Sequence, residues 1–265
     1  MDNRFVKAVP PLALPEEWRD GPTYAAVEEI TAQLTNPWSV SAEVARVLAR
    51  IVIADRRTRI LEFGAGMSSR ILAAALEEVG GGTLTSVEQN PVWCQEAWEI
   101  VEKSHAVDAE LVPACVRLTV DGRGPYYGYA GIDDLVARRG PYDLVFVDAP
   151  VGRYGREGAL HAAFDALAPD GLVVLDDSAR EREQRVLRRW LTTYPELQLV
   201  ANDSSVGPGV AILRRCPGRQ RARDAEGSLL ETWAGGWLDV IRSIPGIREY
   251  ERAQANLVRS TRAVE

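Results

Sequence analysis

Between residues 58 and 215, short apolar runs alternate with longer amphipathic segments. A strand that is covered on both faces is continuously apolar, whereas a helix repeats its apolar positions every three to four residues. The pattern predicts strands, in chain order, at 59–63, 83–89, 109–114, 142–150, 171–178, 197–203 and 209–215. It predicts helices between them at 68–79, 91–105, 156–168 and 180–194. The stretch 122–131, rich in glycine and tyrosine, is expected to form a long loop.

This alternation of strands and helices predicts a doubly wound α/β fold. Strands that are joined by helices lie parallel in one sheet, and the helices cover both of its faces. We therefore expect a mostly parallel seven-stranded sheet, whose last two strands form an antiparallel hairpin at one edge. The flanking segments, 1–57 and 216–265, are expected to be helical extensions of a central domain at 58–215. They can cover the sheet edges, roof a pocket or contact a second copy of the chain.

Composition and charge argue against several classes of protein. The chain has 265 residues and a formal net charge of −7 at pH 7, which does not fit a basic nucleic-acid-binding surface. No apolar run reaches the roughly 18 residues of a membrane span, and the proline-broken N-terminus does not match a signal peptide. The three cysteines have no metal-binding spacing. These features predict a cytoplasmic protein that binds neither nucleic acid nor a membrane.

The segment EFGAGMSS, residues 62–69, joins the first strand of this domain to its first helix. Glycines permit a sharp turn and let a ligand approach the free N–H groups at the helix start. A dinucleotide-binding turn would carry a third small residue, glycine or alanine, where this chain has Ser69. Glu62 at the strand end would repel a pyrophosphate but attract an ammonium or sulfonium group. Glu88 ends the second strand, about twenty residues later, where an acid can bind both hydroxyls of a ribose.

Four segments in this order resemble the motifs of the class I S-adenosylmethionine-dependent methyltransferases: ILEFGAGMSS, LTSVEQNP, YDLVFVDAP and LAPDGLVVLDDS. The resemblance spans residues 58–215 and implies S-adenosylmethionine as the cofactor. It implies that the amino-acid end of the cofactor contacts Glu62, Gly64, Ala65, Gly66 and Ser68. It also implies that Glu88 and Gln89 lie at the ribose, and that Ala114 and Cys115 lie near the adenine.

Three further acids end neighbouring strands: Asp148 the fourth, and Asp176 and Asp177 the fifth. Because the carboxyl ends of parallel strands share one edge, these acids can hold a hard divalent cation. The pattern resembles the metal-dependent small-molecule O-methyltransferases of the catechol and antibiotic-pathway types, which implies Mg²⁺. It departs from the catechol type, which has asparagine in place of Asp177 and a lysine shortly after the first acid. Alternatively, Asp148 touches the cofactor or substrate while the other two acids cap the next helix.

The function that these motifs predict is methyl transfer from S-adenosylmethionine to a small-molecule acceptor. We expect O-methylation of a secondary metabolite, with the acceptor proton removed by a base or with the help of Mg²⁺. Asp148 and His161 are the candidate catalytic residues, although the sequence favours a partly exposed helical histidine at His161. Tryptophans in the flanks and helices permit a homodimer.

Three alternative functions stay open at this point. The first is a protein of methyltransferase fold that catalyses another reaction or acts as a non-catalytic partner. The second is an NAD-dependent oxidoreductase, which the missing third small residue and Glu62 disfavour. The third is methylation of protein or nucleic acid.

Overall fold

The structure, a computed structural model, describes residues 9–36, 38–218 and 229–262. Within these ranges the strands are β1 Arg59–Phe63, β2 Gly82–Glu88, β3 Val107–Pro113, β4 Val116–Asp121, β5 Gly124–Tyr129, β6 Tyr142–Val147, β7 Leu167–Asp176, β8 Leu197–Asp203 and β9 Val210–Arg215. The α-helices are α1 Glu16–Arg19, α2 Ala25–Thr31, α3 Ala42–Ala54, α4 Met67–Glu78, α5 Gln95–Val101, α6 Asp133–Arg139, α7 Glu157–Ala163, α8 Glu181–Thr193 and α9 Leu229–Arg262. Short 3₁₀ turns lie at Pro91–Trp93 and Phe164–Ala166.

Seven of these strands form one sheet in the order β3-β2-β1-β6-β7-β9-β8. Strands β3, β2, β1, β6 and β7 are parallel to one another, whereas β9 pairs antiparallel with both β7 and β8. The expected parallel sheet and the expected hairpin of the last two strands are therefore confirmed. Because five neighbouring strands run in the same direction, their carboxyl ends lie at one edge of the sheet.

Both faces of the sheet are buried against helices. Side chains alternate between the two faces along β1, so Ile60 packs into the core with α3 and α4, whereas Leu61 packs into the core with α7 and α8. Helix α3 begins where the Ser41 hydroxyl accepts a hydrogen bond from the Val44 N–H. Burial on both faces explains why these strands are continuously apolar in sequence.

The expectation of a long loop at 122–131 is wrong. Strands β4 and β5 form a separate two-stranded antiparallel sheet, in which Asp121 faces Gly124 across a two-residue turn. The Asp121 carboxylate accepts a hydrogen bond from the Arg123 N–H, which stabilises this turn. Glycine is depleted in strands. The glycines of this stretch therefore weaken the strand pattern in the sequence, and β5 was not predicted.

The expected helix at 91–105 is shorter in the structure. Residues Pro91–Trp93 form a 3₁₀ turn, and α5 ends at Val101. Trp98 and Val101 of α5 are buried, whereas Trp93 in the 3₁₀ turn is 55% exposed. A 3₁₀ turn has about 3.0 residues per turn instead of 3.6, so Trp93 does not share the face of the other two side chains.

The described parts of both flanking segments contain helices that pack on the central segment 58–215. On the N-terminal side, Leu12 pairs with Asn202 of β8 as an isolated bridge. On the C-terminal side, Asp239 of α9 accepts hydrogen bonds from Arg185 and Arg189 of α8. The division of the chain at 57/58 and 215/216 remains a prediction. In the described residues, no helix combines the length and the apolarity that crossing a membrane requires.

We expect that Gly158→Ala lowers the free energy of unfolding by about 1–3 kcal/mol, because overpacking forces neighbouring atoms apart. A Cβ at Gly158 in α7 would lie 2.3 Å from the Tyr127 carbonyl oxygen and 2.6 Å from the Gly128 Cα of β5. Gly235→Ala in α9 is the matched control, because its nearest neighbour would be the Arg189 Nη1 atom at 3.9 Å. Urea denaturation measures both variants, and equal stabilities would contradict the packing of β5 on α7.

Candidate active site

The glycine turn and the predicted acids meet at the carboxyl edge of the sheet. Glu88 ends β2, Glu62 is the residue before the end of β1, Asp148 follows β6, and Asp176 ends β7. The register aligns these ends, because Phe63 pairs with Val147, which in turn pairs with Leu175. The sheet therefore brings together acids that the sequence places up to 115 residues apart, since 177 − 62 = 115.

Glu62 is a fully buried carboxylate with half of its hydrogen-bonding capacity unused. Its Oε2 atom accepts hydrogen bonds from the hydroxyls of Ser69, at 2.5 Å, and Ser86, at 2.6 Å. Its Oε1 atom is buried and has no hydrogen-bond partner among the described residues. Burial raises the pKa of Glu62 to about 7, and the charge of Glu88 adds to this effect. A ligand with a positive group or an N–H donor would satisfy this side chain.

Glu88 connects β2 to the glycine turn. Its Oε2 atom accepts a hydrogen bond from the Ala65 N–H at 3.1 Å, and its Oε1 atom accepts one from the Asn90 N–H at 2.7 Å. Burial raises the pKa of Glu88 to about 6, although these N–H groups oppose the shift. The neighbouring Gln89 donates from Nε2 to the Tyr250 hydroxyl at 3.1 Å, while its Oε1 atom is buried and has no partner in the part of the chain that the structure describes.

The two glycines of the turn have different roles. Gly64 has a φ of +103°, and a Cβ there would lie 2.9 Å from the Ala149 Cβ, so only glycine fits at this position. At Gly66 an added Cβ would meet no heavy atom of the described residues within 4 Å, so the start of α4 borders open space among them. The buried Ser68 hydroxyl donates to the Gly64 carbonyl oxygen at 3.4 Å. This space beside free helix N–H groups can accommodate a polar ligand.

The predicted adenine neighbours follow β3. The Ala114 N–H donates to the Glu88 carbonyl oxygen at 2.9 Å, which places Ala114 next to the end of β2. Cys115 is exposed, and its carbonyl oxygen accepts a hydrogen bond from the Ala130 N–H after β5. Tyr129 of β5 packs against Phe63 with 5.1 Å between ring centroids, and its buried hydroxyl has no partner among the described residues.

Asp148, Asp176 and Asp177 form an acidic cluster, as the sequence predicted. One oxygen from each carboxylate lies within 4.8 Å of the others. Burial raises the pKa of Asp148 and of Asp176, and the neighbouring carboxylates add to the shift while Arg156 opposes it. The Oδ1 atom of Asp176 is buried without a hydrogen-bond partner among the described residues. The expectation that these acids cap the next helix is wrong, because the N-cap of α8 is Arg180 and no side chain caps it.

Arg156 is the residue of this site whose role the sequence analysis missed. Its Nη2 atom donates to Asp148 Oδ1 at 2.7 Å and to Asp177 Oδ2 at 2.5 Å, and its Nη1 atom donates to the Asp176 carbonyl oxygen. Its side chain is only 3% exposed. Burial opposes its charge, but the surrounding carboxylates outweigh this effect and raise the pKa of Arg156. The half-exposed Arg180 also pairs with Asp177, at 2.7 Å.

His161 of α7 contacts Tyr126, Glu157 and Tyr194. Its Nδ1 atom is 2.8 Å from the Tyr194 hydroxyl, and its ring packs edge-on against Tyr126 with 4.5 Å between centroids. Its Nε2 atom is 3.7 Å from the Glu157 carboxylate. His161 is buried rather than partly exposed, and burial lowers its pKa against the opposing effect of Glu157. These contacts do not include the acidic cluster, so the catalytic role suggested for His161 has no support from the described geometry.

Helix α9 contacts residues that follow the carboxyl ends of β2 and β6. Besides the bond between Gln89 and Tyr250, Arg153 donates to the Gly246 carbonyl oxygen at 2.7 Å. The ring of Tyr154 contacts Tyr127 of β5 and Tyr250 of α9 edge-on, with centroid distances of 5.3 and 6.2 Å. The three tyrosines therefore form one aromatic cluster, which Tyr250 joins to Gln89 after β2.

The residues of the edge fit both groups that the motifs imply. The unpartnered Glu62 and Gln89 oxygens and the space at Gly66 fit a ligand that carries amino and hydroxyl donors. Carboxylate oxygens are the ligands that Mg²⁺ prefers, so the donor set of the acidic cluster also fits a hard cation. Arg156, however, uses two of the same carboxylates.

Comparisons with known proteins found a matching family and similar folds. Residues 61–178 match the family described as a methyltransferase domain. The O-methyltransferase TomG from Streptomyces achromogenes, involved in tomaymycin synthesis and solved with S-adenosylmethionine, is 18% identical, with 74% of this chain and 91% of that chain covered and a TM-score of 0.50. An O-methyltransferase from Bacillus cereus, solved with S-adenosylhomocysteine, is 16% identical over 73% and 92% of the two chains, with a TM-score of 0.49. A methyltransferase from Geobacter sulfurreducens is 16% identical over 73% and 91%, with a TM-score of 0.47.

At 18% identity, the similarity to TomG shows a shared fold and carries no information on the substrate. The family match includes the glycine turn, Glu88 and all three acids of the cluster. Residues 61–178 therefore match a methyltransferase-domain family, and the chain shares its fold with the O-methyltransferase TomG.

The raised pKa of Glu62 predicts a pH-dependent stability. A buried carboxyl whose pKa rises from 4.5 to about 7 on folding stabilises the fold fully below pH 4.5, and this contribution is lost as the pH rises through 7. We expect the free energy of unfolding of the wild type to fall between pH 6 and pH 8 relative to that of Glu62→Gln, which cannot ionise. Urea denaturation at both pH values measures this difference, with Glu96→Gln at an exposed position as the control. A difference that is the same at both pH values would contradict the assignment.

Proposed function

We propose that this protein transfers the methyl group of S-adenosylmethionine to an oxygen atom of a small-molecule acceptor. The observation that carries the proposal is the pair of acids beside the glycine turn, Glu62 and Glu88, one of which has an unpartnered oxygen. Two carboxylates at this position favour a cofactor that carries a sulfonium and an ammonium group over one that carries a pyrophosphate. S-adenosylmethionine has this distribution of charge, and NAD does not.

The residues of the glycine turn and of the strand ends would each bind a different part of the cofactor. Glu62 and the turn Gly64–Gly66, with Ser68, would bind its amino-acid end, and Glu88 with Gln89 would bind the ribose. Ala114 and Cys115 would lie near the adenine. When bound, the cofactor supplies an electrophilic methyl group, and these residues contribute by fixing its position and orientation.

Asp148 is the residue we assign to the acceptor. Its side chain is 20% exposed, compared with 8% for Asp177, so it is the more accessible of these two acids. Burial raises its pKa, which makes its carboxylate a better acceptor for the proton of a hydroxyl group. Asp148, Asp176 and Asp177 would hold Mg²⁺, and a bound divalent cation lowers the pKa of a hydroxyl that it contacts.

Two features favour a small acceptor: α9 contacts residues that follow the strand ends, and Tyr127, Tyr154 and Tyr250 pack together beside them. Gln89, Arg153 and Tyr154 all contact α9, so the helix restricts access to the sheet edge. A net charge of −7 also disfavours a polyanionic acceptor. On this basis we propose a small molecule of secondary metabolism rather than a nucleic acid. A homodimer and a cytoplasmic location remain predictions.

The test of cofactor binding compares S-adenosylhomocysteine with NAD. We expect S-adenosylhomocysteine to raise the melting temperature and NAD to leave it unchanged. Calorimetry should find that Glu88→Ala weakens S-adenosylhomocysteine binding by about 1.5–3 kcal/mol, the contribution of one charge-assisted hydrogen bond. Glu96→Ala at an exposed position should bind as the wild type does. Stabilisation by NAD alone would contradict the proposal and favour an oxidoreductase.

The test of the reaction follows a labelled methyl group. Radiolabelled S-adenosylmethionine is incubated with small hydroxyl compounds, a peptide mixture and oligonucleotides. We expect label only in small molecules, and we expect Asp148→Asn to reduce the rate while its affinity for S-adenosylhomocysteine stays within about twofold of the wild type. Label in protein or nucleic acid would contradict the proposed acceptor class.

A further inference from the structure

Arg156 lies where a cation bound to the acidic cluster would lie. Its Nη2 atom is 2.7 Å from Asp148 Oδ1 and 2.5 Å from Asp177 Oδ2, so one nitrogen bridges the two carboxylates. A magnesium ion needs about 2.1 Å to each ligand oxygen. A divalent cation and the guanidinium would therefore compete for the same two oxygens, and their like charges would repel.

Both Arg156 and the acidic cluster keep a buried polar atom that has no hydrogen-bond partner among the described residues. The Nε atom of Arg156 is buried without a hydrogen-bond partner among the described residues, and so is the Oδ1 atom of Asp176. Buried polar atoms in proteins are nearly always satisfied. The guanidinium therefore neutralises the cluster without satisfying all of its oxygens.

Glu183 is another buried acid near Arg156, and its carboxylate can form an ion pair with the guanidinium. Glu183 of α8 is 1% exposed, and neither of its carboxylate oxygens has a hydrogen-bond partner among the described residues. Arg156 is among the groups that interact electrostatically with Glu183. An isolated buried carboxylate is costly unless it is paired or protonated. Glu183 therefore offers a partner to an arginine that leaves Asp148 and Asp177.

We infer that Arg156 is the resident counter-ion of the acidic cluster, and that a divalent cation binds there only when the guanidinium moves from Asp148 and Asp177 to Glu183. Arg156 thereby sets the affinity of the cluster for metal. The inference deepens the metal part of the proposed function and rests on it. It does not depend on cofactor binding or on methyl transfer.

The experiment measures Mn²⁺ binding by electron paramagnetic resonance in the full chain, without cofactor or acceptor. We expect Arg156→Ala to bind one Mn²⁺ at least roughly tenfold more tightly than the wild type, because the competing charge is gone. Glu183→Gln should bind Mn²⁺ more weakly than the wild type, because the displaced guanidinium loses its second partner. Arg153→Ala is the control, because Arg153 precedes the same helix but contacts Gly246 and Glu249 of α9.

Arg156→Gln, which is neutral and polar, replaces the alanine variant if that variant does not fold, and the same gain is expected. An affinity of the Arg156 variants that equals or falls below that of the wild type would overturn the inference. Unchanged binding in Glu183→Gln would overturn the role given to Glu183. Binding of S-adenosylhomocysteine is measured on the same samples, so a failure of the proposed function remains a separate result.

Discussion

The crowding of negative charge at one edge of a parallel sheet is the constraint on which this site depends. Parallel strands must end together, and here four neighbouring strands end in or beside acids. Burial raises the pKa of Glu62, Glu88, Asp148 and Asp176, and at Asp148 and Asp176 it outweighs the opposing charge of Arg156. A ligand of this edge must therefore bring positive charge or hydrogen-bond donors. A sulfonium cofactor beside β1 and β2 and a cation or guanidinium beside β6 and β7 meet that requirement in two adjacent places.

The sheet positions the acids, and the segments outside it enclose them. The β4–β5 hairpin packs on α7, while α9 is held by ion pairs from α8 to Asp239 and by the hydrogen bond from Gln89 to Tyr250. Under the proposed function, the cofactor side of the site would be built from residues 61–178. The hairpin and the C-terminal segment would then border the acceptor side, and the identity of the acceptor would depend on these two parts.

Local sequence patterns predicted the strands of the central sheet and the acids at the strand ends. The continuous apolar runs located the strands of the sheet, and the acids at their ends located Glu62, Glu88 and the acidic cluster. Contacts between distant segments were not predictable in this way. Arg156 appeared in sequence as one of two arginines around a Tyr-Gly pair, yet its partners lie 8 and 21 residues away on separate elements. Strand β5 was missed because its glycines weaken the strand signal, while its packing on α7 stabilises it.

The most direct measurement is a crystal structure of the protein with S-adenosylhomocysteine bound. We expect the ribose hydroxyls within hydrogen-bond distance of the Glu88 carboxylate and the amino-acid end over Gly66, with its amino group on the side of Glu62. A ligand bound elsewhere, or one that contacts neither carboxylate, would contradict the assignment of this edge as the cofactor site.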